Sequence, residues 1–546
     1  MKQEYTIIYG QQSFKASEYQ NKIFNAIEHG VGNLIINASA GSSKTTTIVN
    51  AIKYIEEKKK ILFIAFNKDI VKKIKENINH QNTSVLTFHS LGYYVLLENG
   101  IICKGNTQSF IDEYKYKRYI KENFDTLTIA TNKSIFRKHY NQFINNLYKM
   151  VDYSRYYLAF SVKEIKKVCS LYDINILDNE IDVVQSILNY GKTHLKTIDY
   201  TDLLWLPNVL NLTTKKYLYN WIFIDEGQDT NLAEQELVKK CFKRGTRFAI
   251  VCDTFQQINV WCGSTMDAIE NFKQIPNTKE YKLPISYRCP TKVVELAKKY
   301  SNNIIASENA IDGEINYDVS YTTPISGDMV LCRMTAPLIQ LFLKYLKLNK
   351  KCYIRGYENI RENYLTIINT SKSQYIDKEC ITSDGLFPKL YRNFFESLET
   401  LMKAQFLNFD EAINHSIILE KFDEIEALKT LSEGLISVDE LKNRINTIFN
   451  DNSNEGIVLS TVHKAKGLES DNVYILYPSL LTTSRATKEW EQKTESNLIY
   501  VAYTRAKKSL NFIKEEKYNR FLFGNNEIKQ QIREEILKIK NKINFN

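Results

Sequence analysis

The chain has 546 residues, 43% of them hydrophobic and 25% charged, which is more than one core usually organises and excludes a largely disordered protein. A formal charge of +10, from 73 basic and 63 acidic side chains, suits a polyanionic partner without requiring one. The nine cysteines form no CxxC pair or Cys/His cluster, the amino terminus lacks a signal-peptide core, and no apolar run reaches the roughly 18 residues of a membrane span. These features predict a soluble intracellular protein with reduced cysteines and no membrane partner, cytoplasmic, or nuclear if the source is eukaryotic.

Short apolar runs come first: "NLIINASA", "ILFIAF" and "SVLTFH", each followed by helix-like periodicity. Within the first, "NASAGSSKTTT" places Gly41, Lys44 and Thr45 between a strand and a helix start. Small residues in a tight turn let backbone N–H groups wrap phosphates, with lysine reaching the β and γ phosphates and threonine binding Mg²⁺. A small-residue turn with a chance Lys-Thr is the structural alternative, because Ala38 and Ser43 stand where GxxxxGK[ST] has glycines. Residues 93–189 are basic, tyrosine-rich and helical in pattern, and read as an insertion whose tyrosines mostly pack helices.

"WIFIDEGQDTN", Trp221–Asn231, then ends an apolar strand in two carboxylates, Asp225 and Glu226. Ligands sit beyond the carboxyl ends of parallel strands, so these acids are placed to hold a metal or a water; capping of the helix begun by "LAEQELVKKC" is the alternative. "RFAIVCD" follows. A second series, "YKLPISYR", "DMVLCRM", "KCYIRG", "IVLSTVH" and "NVYILYP", starts near residue 276 and is interrupted by mixed helices at 357–449. The loop-like "NDNSNEG" introduces the strand at Ile457, and a lysine-rich helix, "EIKQQIREEILKIKNKI", closes the chain as a solvated surface. The economical reading is two α/β domains with parallel sheets: 1–92 and 190–275 around an insertion at 93–189, then 276–356 and 450–546 around 357–449.

A phosphate loop needs a carboxylate at a neighbouring strand end for Mg²⁺ and a second for the attacking water, which Asp225 and Glu226 supply. At this point "ASAGSSKT", "DEGQDTN", "VCDTFQQINVWCGS", "ISYRCP", "STVHKAKGLES" and "YVAYTRAKKSL" resemble, in order, the motif series of superfamily 1 DNA helicases of the UvrD/Rep/PcrA type. "FIAFNKDIVKKI" and "LTFHSLGY" are most similar to the F-box DNA helicase branch, without an F-box. The motifs run from Gln20 to Arg505, covering the insertions by position only.

The resemblance implies two RecA-like P-loop domains, each with an inserted, mainly helical subdomain, and ATP hydrolysis in the cleft between them. Ala40, Gly41, Ser42, Ser43, Lys44, Thr45 and Thr46 would bind ATP, with Gln20 reading the adenine edge, Tyr287 stacking on adenine and Glu469 facing the ribose. Thr45 and Asp225 would hold Mg²⁺, Glu226 would be the general base, Gln256 would sense the γ-phosphate, and Arg288 and Arg505 would contact it. Phe66, His89, Trp261 and His463 are the candidates for a strand track of stacked bases.

Cys252, Asn259 and Cys262 depart from the third motif's glycine, tyrosine and arginine, which puts two strand contacts in doubt; Ser43 predicts a stiffer loop and slower turnover. The implied activity is an ATP-dependent 3′-to-5′ single-stranded DNA translocase and helicase, acting on single strands and single-strand/duplex junctions, with an unidentified protein partner possible. An ATP-driven nucleoprotein remodeller or complex subunit with little unwinding is the alternative, and an RNA-directed helicase a more distant one.

Overall fold

The computed structural model describes residues 5–10, 12–66, 68–103, 110–123, 140–172, 174, 178–260, 263–264, 267–377, 384–405, 412, 416–449, 455–481 and 488–514. The chain divides into two compact units, 1–286 and 287–546. The first contains a six-stranded parallel sheet of β1 (Asn33–Ala38), β2 (Ile61–Ile64), β3 (Thr83–Leu86), β4 (Tyr219–Ile224), β5 (Phe242–Cys252) and β6 (Thr278–Leu283), ordered β3-β2-β4-β5-β1-β6.

Period-two alternation divides this sheet's side chains between two cores. Leu34, Ile36, Ile61, Phe63, Trp221, Phe223, Ala249 and Val251 fill one face, and Ile35, Leu62, Ile64, Ile222, Ile224, Phe248 and Ile250 the other. Burial on both faces explains why these strands are continuous apolar runs. Register then aligns their carboxyl ends, with Ile64 paired to Leu86 and Ile224, and Ile224 to Ile250. The residues that follow, Phe66, His89, Asp225 and Asp253, therefore emerge along one sheet edge.

One expectation is corrected here. The run read as opening the second α/β series is β6, which pairs with β1 along Asn33–Ala38 and closes the first sheet. Its half-exposed pattern is that of an edge strand, unlike the buried runs beside it.

The first insertion is built from helices Lys115–Glu122, Tyr140–Tyr156, Val162–Leu171 and Asp178–Thr193, which share a core with Trp205 of the Tyr200–Val209 helix. A buried ion network fixes them: Lys115 Nζ donates to Asp202 Oδ2 at 2.8 Å, Tyr116 OH to Asp202 Oδ1 at 2.6 Å, and Arg155 Nη1 to Asp199 Oδ1 at 2.7 Å. Tyrosines pack these helices, as in the Tyr119–Tyr190 stack with centroids 3.7 Å apart.

The second unit has its own six-stranded parallel sheet: β7 (Glu314–Val319), β8 (Met329–Cys332), β9 (Cys352–Ile354), β10 (Ile457–Thr461), β11 (Ser470–Ile475) and β12 (Ala506–Ile513), ordered β7-β12-β11-β8-β10-β9. Helices Tyr357–Ser371, Leu386–Gln405, Ser416–Leu431 and Val438–Ile448 form its insertion. Most of "NDNSNEG", Trp261, Cys262 and the closing lysine-rich stretch lie outside the described residues. No helix among the described residues is long and apolar enough to cross a membrane.

Candidate functional site

β1 ends at Ala38 and the next helix starts at Lys44. Gly41 (φ +70°) and Ser43 (φ +59°) take left-handed conformations between them, and Ser42 N–H donates to Ser39 O at 3.2 Å, closing a tight turn. Serine can adopt the shape expected of glycine at position 43, at a cost of about 1–2 kcal/mol. Ser43 offers the Lys44–Ala51 helix no side-chain cap, so its leading N–H groups keep their affinity for an anion. Ala40 and Ser42 are fully buried, and Ser42 Oγ has no hydrogen-bond partner among the described residues.

The acids meet this loop. Thr45 Oγ1 donates to Asp225 Oδ2 at 2.6 Å, and Lys44 Nζ stands 3.1 Å from Glu226 Oε1. Glu226 sits in the left-handed region at φ +54°, which turns its carboxylate back toward the lysine. The capping alternative fails, because the Leu232–Lys239 helix is capped by Asn231 in a reciprocal pair with Glu234. Burial, reinforced by the Glu226 charge, pushes the Asp225 carboxyl up to about 6. Burial opposes the Lys44 ammonium too, but Glu226, Asp253 and Asp225 outweigh it and hold its pKa above the usual lysine value.

Two members of the cluster went unassigned in the sequence. Asp253, at the end of β5, accepts from Gln256 Nε2 at 2.6 Å, and burial pushes its carboxyl up to about 6. Gln228 donates to Glu226 Oε2 at 2.5 Å and accepts the Asp253 N–H at 3.0 Å, joining the acids of β4 and β5. "RFAIVCD" carried the signal for Asp253, an apolar run ending in an acid like "WIFIDE"; nothing local marked Gln228 as the bridge. Gln20 is 2% exposed; its Oε1 accepts Ser17 N–H at 2.9 Å and its Nε2 donates to Thr47 Oγ1 at 3.0 Å, tying it to the phosphate-loop helix. Thr46 is half-buried one position past the loop.

Phe66 is 51% exposed and His89 is exposed near Tyr200, at the carboxyl ends of β2 and β3. Trp261, the leading stacking candidate, falls outside the described residues. In the second unit, Tyr287 is 48% exposed and Arg288 Nε donates to Glu469 Oε2 at 2.6 Å. Arg505 differs sharply: it is 1% exposed, and donates to Val501 O at 2.8 Å, Leu468 O at 3.1 Å and Thr504 Oγ1 at 3.1 Å. Half-buried His463 is held down to about 4 by desolvation and the Arg333 charge, so it is neutral at pH 7.

The UvrD/REP helicase N-terminal domain pattern matches residues 19–277 and the UvrD-like helicase C-terminal domain pattern residues 238–517. The chain belongs to the UvrD-like helicase family. Relatives of this UvrD-like chain include a probable DNA helicase II homolog of Mycoplasma pneumoniae, 23% identical over 69% of this chain and 55% of the relative. F-box DNA helicase protein 1 of Schizosaccharomyces pombe is 25% identical over 87% of this chain and 55% of its own. ATP-dependent DNA helicase PcrA of Staphylococcus aureus is 23% identical over 91% and 83%. The UvrD-like chain thus spans about half the length of several curated relatives that it matches.

Proposed function

We propose that this UvrD-like chain is an ATP-driven motor on single-stranded DNA, moving 3′ to 5′ and separating strands at single-strand/duplex junctions inside the cell. The observation that carries the reading is a double pairing between residues distant in sequence: Thr45 with Asp225, 180 positions on, and Lys44 with Glu226. Asp225, Glu226 and Asp253 against Lys44 leave a net charge of −2 when all are ionised (three minus one), which suits a divalent cation. The unpartnered Ser42 Oγ and open helix N-terminus suit phosphate oxygens.

Thr45 Oγ1 and Asp225 would hold Mg²⁺, which supplies charge neutralisation to ATP phosphates. Lys44, kept protonated by its acids, provides a fixed positive charge at the loop. Glu226, oriented by Gln228 Nε2 and Lys44 Nζ, takes the proton from the attacking water. Gln256 is assigned to the γ-phosphate, Gln20 and Tyr287 to adenine, and Glu469 to the ribose. Of the two arginines assigned to the γ-phosphate, Arg288 has the more exposed side chain, whereas truncating Arg505 also removes three buried hydrogen bonds.

ATP hydrolysis compared with single-stranded DNA, duplex DNA and RNA tests the reading. Single-stranded DNA is expected to stimulate most, and Arg288→Ala to lower stimulated turnover by roughly 10³ while nucleotide still binds. Equal hydrolysis with all three polymers, or wild-type turnover in the variant, sinks the reading. Strand displacement on bare and on protein-coated substrates separates a helicase from a nucleoprotein remodeller.

A further inference from the structure

Gln256 lies in a segment that the inserted helices hold at two points. Tyr172, just after the Val162–Leu171 helix, donates its hydroxyl to the Val260 carbonyl oxygen at 3.0 Å. Gly263, at φ +88°, lies so near the Tyr156 ring that a Cβ there would stand 2.5 Å from Cδ2. Both tyrosines are built into the insertion. Tyr156 ends the Tyr140–Tyr156 helix, and the Tyr172 ring stacks on Tyr153 of that helix with centroids 4.0 Å apart and planes 13° apart.

The other end of the segment is tied to the acidic loop. Asp253 N–H donates to Gln228 Oε1 at 3.0 Å, Gln257 Nε2 donates to Gln228 O at 2.7 Å, and Gln228 Nε2 reaches Glu226 at 2.5 Å. A line of hydrogen bonds and short backbone therefore runs from the Glu226 carboxylate to the inserted helices, the kind of packed connection that carries energetic coupling.

We infer that Tyr172 is a positioning residue that ties the Gln256-bearing segment to the helical insertion, so that the response of nucleotide hydrolysis to a bound strand depends on this tether. This coupling rests on the functional reading above; the tether itself does not. The ring stack on Tyr153 fixes the hydroxyl, and the closeness of Gly263 to Tyr156 leaves the segment little room to shift independently.

Tyr172→Phe removes one hydroxyl and keeps the stack, so the fold survives. Strand-stimulated turnover is expected to fall roughly 3- to 30-fold, with strand-free turnover within about 2-fold of wild type. Amide exchange at 256–260 and 263–264 in the chain alone should rise. Tyr157→Phe, which deletes the neighbouring hydroxyl 3.0 Å from that of Tyr172 but leaves the Val260 contact, should behave as wild type. Unchanged exchange in Tyr172→Phe overturns the tether whatever the polymer response. Raised exchange with undiminished stimulation, or equal losses in free and stimulated turnover, overturns the coupling. A wild-type chain that ignores single-stranded DNA overturns the functional reading, and the exchange result then stands apart from it.

Discussion

Glu234 accepts the Asn231 N–H at 3.0 Å while its own N–H donates to Asn231 Oδ1 at 2.9 Å, the reciprocal pair that starts a helix. Burial pushes its carboxyl up to about 7 against the Asn231 hydrogen bond, and the Asp229 charge adds to the rise. A carboxyl that binds its proton more tightly when folded lowers stability as pH rises: the penalty is absent below the unfolded value near 4.5 and complete above about 7. Glutamine keeps the cap and cannot ionise. Glu234→Gln is therefore expected to match wild type in denaturant unfolding at pH 4.5 and to be more stable at pH 8, on the order of 2 kcal/mol. Equal stability of the two chains at pH 8 would refute the raised carboxyl. At this scale the sequence was most legible where chemistry is local: Lys44, Thr45, Asp225 and Glu226 follow from spacing within two short stretches. Gln228 and Asp253 meet only through the register of β4 against β5, which local spacing does not encode.

Helices Phe88–Glu98 and Tyr200–Val209 approach closely because Gly92 has no side chain; a Cβ there would stand 1.9 Å from Leu203 O. The obstacle is backbone, which cannot rotate away. Gly92→Ala is expected to cost about 1–3 kcal/mol of stability despite alanine's better helix propensity, read as a lower denaturant midpoint. A neutral or stabilising effect would show that the helix pair slides freely, and that His89 and Tyr200, which start the two helices, are not fixed by this crossing. Elements were legible where burial on both faces makes an unbroken apolar run, as in β2 and β4. Edge strand β6 was misassigned because its exposed positions break that pattern and it abuts "ISYRCP" in sequence. The ion network of Lys115, Arg155, Asp199 and Asp202 was illegible for another reason: its partners lie up to 87 residues apart, on helices whose polar residues resemble a solvated face.

For the whole molecule, a charge of +10 on 546 residues is modest, and it does not by itself distinguish a phosphate track from scattered surface lysines. Salt dependence does. Cations that neutralise phosphates release counterions, so affinity falls as a power of salt concentration whose exponent reports how many phosphates are engaged at once. If about four phosphates are neutralised, log affinity for a single strand should fall against log salt with a slope near −3. If exposed aromatics such as Phe66 stack on bases, they add a part that salt barely touches, and measurable binding should then persist when the electrostatic part is screened. Neutral His463 predicts further that the slope stays the same from pH 6 to pH 8, since a histidine held near 4 does not gain charge in that range. Titrating a labelled oligonucleotide at several salt concentrations and at both pH values measures slope and residual together. A flat response between low and physiological salt removes the electrostatic track, and a slope that steepens toward pH 6 means that a histidine is charging against the strand.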